Sequence, residues 1–105
     1  VQIKWLTPAV IDLQRLRDFI LPHNTDASRR AVKVIRTAVT ALASTPHIGK
    51  PVEDMPDYRD LVIPFGSAGY LLRYRIQADA IYIVALRHCR EAGYFEDKAP
   101  AFGKD

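Results

Sequence analysis

Arg59, Arg73, Arg75, Arg87, His88 and Arg90 stand close together in the C-terminal half of this 105-residue chain. Tyr58, Tyr74, Tyr82 and Tyr94 are interleaved with them. A guanidinium is a rigid fork of donors that matches phosphate or carboxylate oxygens two at a time. An imidazole such as that of His88 exchanges a proton near neutral pH. A phenol ring stacks on a base or anchors a protein interface. The set therefore suits charge stabilisation and proton transfer at a phosphate, or a basic aromatic surface that grips an acidic partner. A plainer reading stands beside both: several of these arginines simply pair with Asp57, Asp60, Asp79 and Glu91.

Other chemistries find no support. No glycine-rich phosphate loop is present, and His23, His47 and His88 are too scattered for a metal site. No cofactor is implied. Ser67 has no base beside it in sequence, so a nucleophile triad lacks a basis. The single Cys89 excludes an internal disulfide and fits a reducing, cytoplasmic setting. It sits between His88 and Arg90, and a lone cysteine at a strand end is more often an incidental small residue.

The elements that must position these side chains follow from periodicity. Gly69 to Ile76 and Ala80 to Leu86 read as two strands joined by a turn around Gln77-Ala78-Asp79-Ala80. Alternation puts Tyr70, Leu72, Tyr74 and Ile76 on one face, and Leu71, Arg73 and Arg75 on the other. Upstream, Arg59 to Pro64 is a short strand, and Val52 to Asp57 reads as acidic and irregular. Val1 to Leu6 alternates as a first strand. Thr7-Pro8 then opens a helix, with Thr7 as N-cap, that stops near Leu21 before Pro22. In it Ala9, Leu13, Leu16 and Ile20 form the apolar side, with Asp12, Arg15 and Asp18 mostly opposite. Asn24 or Thr25 caps a second helix with Asp26 in its first turn. Its stripe is Ala27, Ala31, Val34, Ile35, Ala38, Val39 and Leu42, bordered by a basic edge of Arg29, Arg30, Lys33 and Arg36. That edge is either a solvated face or a contact for an acidic partner. Residues 92–105 read as a tail, docked by Tyr94, Phe95 and Phe102 or mobile until a partner arrives.

This order predicts an α+β fold. An N-terminal strand and an antiparallel two-helix hairpin pack on one face of a mainly antiparallel four-stranded sheet. The other sheet face stays open to solvent or a partner. Residues 1–105 are expected to form one domain. With 49% hydrophobic residues the chain can build a core, and 26% charged residues argue against wholesale disorder. A net charge of +3 permits an anionic partner without requiring one. Val1 to Leu6 is too short and mixed for a signal peptide, and no apolar run approaches a membrane span, so no membrane partner is expected. An initiator methionine is expected to have been removed or to lie outside this chain.

The residues resemble the ParE/RelE superfamily of bacterial type II toxins, the plasmid stabilisation proteins. The resemblance rests on the Pro8-Ala9 helix start with Asp12-Leu13, the turn from Pro46 to Gly49, and Tyr58-Arg59-x-Leu61. Gly69-Tyr70-x-Leu72-x-Tyr74-Arg75 and His88-x-Arg90-Glu91 complete it, so that it spans Ile3 to about Tyr94. It implies a small toxin neutralised by an antitoxin encoded beside it, touching DNA only through that antitoxin. RelE-like members cut mRNA on the ribosome with cationic residues on the sheet and often a C-terminal tyrosine. ParE-like members bind DNA gyrase and block it without chemistry of their own.

Arg59, Arg90 and Tyr94 stand at plausible nuclease positions, with Arg73 and His88 as possible substitutes. The strand after Met55-Pro56-Asp57-Tyr58-Arg59, however, reads Asp60-Leu61-Val62-Ile63, where RelE-type nucleases favour a lysine pair. Leu71 follows Gly69-Tyr70 where RelE has an arginine. The ParE-like reading is therefore favoured, with Arg59, Arg73, Arg75, Arg87, His88 and Arg90 as the gyrase-binding surface. The antitoxin is expected to lay a helix along the hairpin near Leu13, Leu16, Phe19, Val39 and Leu42.

Overall fold

The computed structural model describes residues 1–91. The proposed tail and Tyr94 lie outside the described residues. Seven elements follow in order: β1 (Gln2–Trp5), α1 (Thr7–Ile20), α2 (Thr25–Ala41), β2 (Lys50–Val52), β3 (Met55–Phe65), β4 (Ala68–Gln77) and β5 (Ala80–His88). They form an α+β fold in which two helices cover one face of a mixed sheet of order β1-β5-β4-β3-β2. β1 runs parallel to β5, and the other neighbours are antiparallel.

The sheet has five strands rather than four. β2 is three residues long, too short to show alternation, and pairs with β3 through Lys50↔Asp60 and Pro51↔Arg59. Its outer position suits Pro51, which has no N–H to offer a ladder. β3 accordingly begins at Met55, inside the stretch expected to be irregular. Two-residue turns close both long hairpins, at Gly66-Ser67 and Ala78-Asp79. Gly66 and Ala78 have φ of 61° and 54°, the left-handed conformation such tight connections need.

The helix starts differ from one another. Asn24 caps α2 as expected, its Oδ1 accepting from Ala27 N at 2.9 Å. Thr7 is already helical, and Leu6 holds the cap position of α1 without a side-chain bond.

The core lies between helices and sheet. Ala9 and Leu16 of α1, Ala31, Ile35 and Val39 of α2, and Leu42 just beyond it, meet Ile63, Tyr70, Leu72, Tyr74, Ile81, Ile83 and Leu86. Asp12 joins them instead of facing water. It is 1% exposed, and its Oδ2 accepts from Leu86 N at 2.9 Å, tying α1 to β5. Tyr74 reaches through the core to donate to Pro46 O at 2.7 Å and accept from Gly49 N at 2.9 Å. It thereby fixes the turn between α2 and β2.

One irregularity decides which way the C-terminal cations point. Tyr74 pairs with Ile83 but Arg73 pairs with Ala85, so Val84 is an extra residue in β5. Ile81 and Ile83 face the helices before it, and Leu86 does so after it. Val84 and Ala85 both join a second apolar cluster with Tyr58, Leu6, Val52, Met55 and Leu71 on the opposite face.

Candidate functional site

The open sheet face carries a row of alternating rings and cations. Tyr58↔Arg75 and Arg75↔Tyr82 are register pairs across β3, β4 and β5, and Lys4↔Tyr82 continues the row onto β1. Directly paired residues share a face, so the four side chains stand side by side. Arg75 Cζ lies 5.1 Å from the Tyr82 ring centre and 5.9 Å from that of Tyr58. Lys4 Nζ lies 5.9 Å from the Tyr82 centre. Both cations are within cation–π range. Arg75 Nε is buried with no hydrogen-bond partner.

The neighbouring cations are engaged within the fold. Arg73 is 7% exposed and forms a two-pronged pair with Asp60, at 2.9 and 3.0 Å. Arg87 folds over the C-terminal turn and donates to the carbonyls of His88, Cys89 and Glu91 at 3.2, 3.2 and 2.9 Å. Asp60 thus takes part in the pairing that the plainer sequence reading anticipated, whereas the Glu91 carboxylate pairs with Arg15 of α1 at 2.9 Å.

The remaining predicted site residues lie on the other face. Arg59 pairs with Tyr74, on the helix side, and donates to His47 O at 3.1 Å and Gly49 O at 2.6 Å. It braces the turn that Tyr74 holds. His88 pairs with Tyr70 because of the bulge at Val84, and their rings meet edge to face at 5.6 Å. His88 Nδ1 accepts from Arg90 N at 3.1 Å. His88 and Arg90 border a groove of about 720 Å³ between α1 and the β3–β4 turn, with Phe19, Phe65 and Tyr70. Arg59 and His88 are four residues apart in β4 register, about 13 Å along the strand. The candidate nuclease residues Arg59, Arg73, His88 and Arg90 therefore do not converge on one reacting atom. Burial raises the Tyr70 and Tyr74 phenols above their ordinary value, the latter against a lowering bond from Gly49.

The antitoxin-binding prediction also changes. Leu16, Val39 and Leu42 are 6%, 3% and 0% exposed and already packed against the sheet. Leu13 is partly buried beside them, and Phe19 alone of the five is prominent, at 76%. Amphipathic spacing marked a shared face, but that face is the one the sheet occupies. Lys4, which extends the row of rings and cations, was not among the predicted residues. Its signal was its place opposite Ile3 and Trp5 in β1, which became useful only once β1 was seated beside β5.

Comparison with known proteins places this arrangement. The family described as the ParE toxin of the type II toxin–antitoxin system parDE matches residues 3–93. The chain belongs to the ParE toxin family. Among its relatives, Toxin RelE3 of Caulobacter vibrioides is 34% identical over 80 residues, which are 76% of this chain and 85% of that protein. In structure, the chromosomal ParDE system from P. aeruginosa superposes with a TM-score of 0.71 at 22% identity, over 84% of this chain and 95% of that one. A mutant of the E. coli toxin RelE in its free state gives 0.64 at 12% identity, over 95% of both chains. A ParE-family toxin of a type II system implies a cognate antitoxin partner. Among the described residues, no helix is long and apolar enough to cross a membrane.

Proposed function

We propose that this ParE-family chain is a cytoplasmic toxin that inhibits DNA gyrase by binding it, through the open sheet face centred on Arg75. The observation that carries this reading is the dispersal of the cationic set. Cutting RNA by charge stabilisation and proton transfer requires donors and an acid–base group around one phosphate. Here Arg73 is occupied by Asp60, Arg59 by backbone carbonyls, and His88 lies behind the sheet against Tyr70. A binding surface needs no such convergence. It needs rigid aromatic and guanidinium anchors, which the Tyr58–Arg75–Tyr82 row supplies.

Arg75→Ala tests the assignment. It is expected to weaken inhibition of gyrase supercoiling by roughly tenfold or more, as loss of an interface anchor does, with the melting transition retained. Unchanged inhibition in the folded variant would move the contact elsewhere. The name of the relative Toxin RelE3 favours a second reading, ribosome-dependent mRNA cleavage. That reading requires the cations to regroup when the ribosome and mRNA bind.

A further inference from the structure

Arg75 differs from its neighbours on the open sheet face. Arg73 holds Asp60 in a two-pronged pair, and Arg87 holds the carbonyls of His88, Cys89 and Glu91. Arg75 forms no hydrogen bond and no ion pair among the described residues. Asp60, the next residue on the same face of β3 after Tyr58, is already bound by Arg73. A charged donor withdrawn from water without an acceptor is costly. Tyr58 and Tyr82 offset part of that cost, because a ring face attracts a cation. Their ring faces nevertheless offer the N–H groups no carbonyl or carboxylate oxygen. The guanidinium is therefore held in place, charged and short of an acceptor. The side chain is only half-buried, so a partner can reach it.

We propose that the missing acceptor is a carboxylate of gyrase itself: an aspartate or glutamate side chain on its protein surface binds the Arg75 guanidinium between Tyr58 and Tyr82. The inference rests on the gyrase-binding reading and names what that site grips. A carboxylate accepts two N–H bonds from a guanidinium at once, which no ring face does. The flanking rings fix the arginine beforehand, so little side-chain freedom is lost on binding. Lys4, exposed beside Tyr82, adds a second positive charge that draws an acid toward the row. The alternative anion is the phosphate backbone of the DNA that gyrase holds. Tight binding to a backbone sums contacts to many phosphates. The open face offers few cations for that, because Arg73 and Arg87 are engaged within the fold. Apolar side chains lie beside them instead, with Val62 60% exposed and paired with Leu71. One desolvated charge with aromatic and apolar neighbours is the composition of a protein–protein anchor.

The test titrates the full chain into purified gyrase, with and without duplex DNA, at low and high salt. Wild type is expected to bind gyrase equally well without DNA. Arg75→Met, which keeps the length of the side chain but not its charge, should raise Kd at least about tenfold and make its salt dependence shallower. Arg75→Lys should recover part of the loss, since it restores the charge but not the fork of donors. Lys4→Glu lies at an exposed position where folding is not at stake, and should raise Kd several-fold, mainly through slower association. Wild-type affinity in Arg75→Met overturns the proposal while leaving the gyrase reading intact, because the rings alone would then make the contact. Binding by wild type only when DNA is present also overturns it, in favour of a phosphate. Absence of any binding between wild type and gyrase overturns the gyrase reading and this inference together.

Discussion

Tyr74 shows how a single side chain can serve fold and site together. Its hydroxyl joins Pro46 O and Gly49 N, while its ring is fully buried on β4. Tyr74→Phe leaves the Gly49 N–H and Pro46 carbonyl without that partner, and should cost about 1–3 kcal/mol in a urea denaturation series. Burial raises the phenols of Tyr74 and Tyr70 above 10.0, so the folded chain holds these protons more tightly than the unfolded chain. Their contribution is complete below pH about 10 and falls as the pH rises above it. Tyr70→Phe should flatten part of that alkaline loss of stability. The alternation of β4 made these faces legible in advance, with Tyr70, Leu72 and Tyr74 inward and Arg73 and Arg75 outward. The engagement of the guanidiniums was not legible. Asp60 meets Arg73 only through the β3–β4 register, and Arg59 finds its carbonyls on a turn ten to twelve residues upstream.

At the level of elements, hairpins and helices were readable because hydrophobic period and turn residues are local signals. β2 was not, because three residues cannot display a period. Nor was the bulge, since an extra residue exists only relative to a partner strand, and it is the bulge that takes His88 off the arginine face. Two positions test this architecture. Gly69 has φ of 137°, and a Cβ there would lie 2.4 Å from Ile63 O. Gly69→Ala should therefore destabilise the β3–β4 hairpin by about 2 kcal/mol or more, visible as a lowered denaturation midpoint. Asp12→Ala removes the acceptor of Leu86 N inside the core and should cost about 3 kcal/mol in the same measurement. Asp12→Asn, which retains an acceptor oxygen, should recover much of that loss. Failure of either substitution to destabilise would place α1 or the hairpin incorrectly against the sheet.

The molecule as a whole presents two cationic surfaces on opposite sides of one sheet. The open face holds Arg75 between Tyr58 and Tyr82, and the outer face of α2 holds Arg29, Lys33 and Arg36. Most of the fold was legible from the chain, but the site only in part, because global placement sorts the arginines into anchors, braces and internal pairs. The central claim is that this ParE-family toxin binds its target without cutting RNA. It is tested most directly by adding the purified chain to a gyrase supercoiling reaction and, in parallel, to a translating extract followed for transcript length. Blocked supercoiling with intact transcripts is the predicted result. Cleaved transcripts with normal supercoiling would contradict it and return Arg59, Arg73, His88, Arg90 and Tyr94 to a catalytic role.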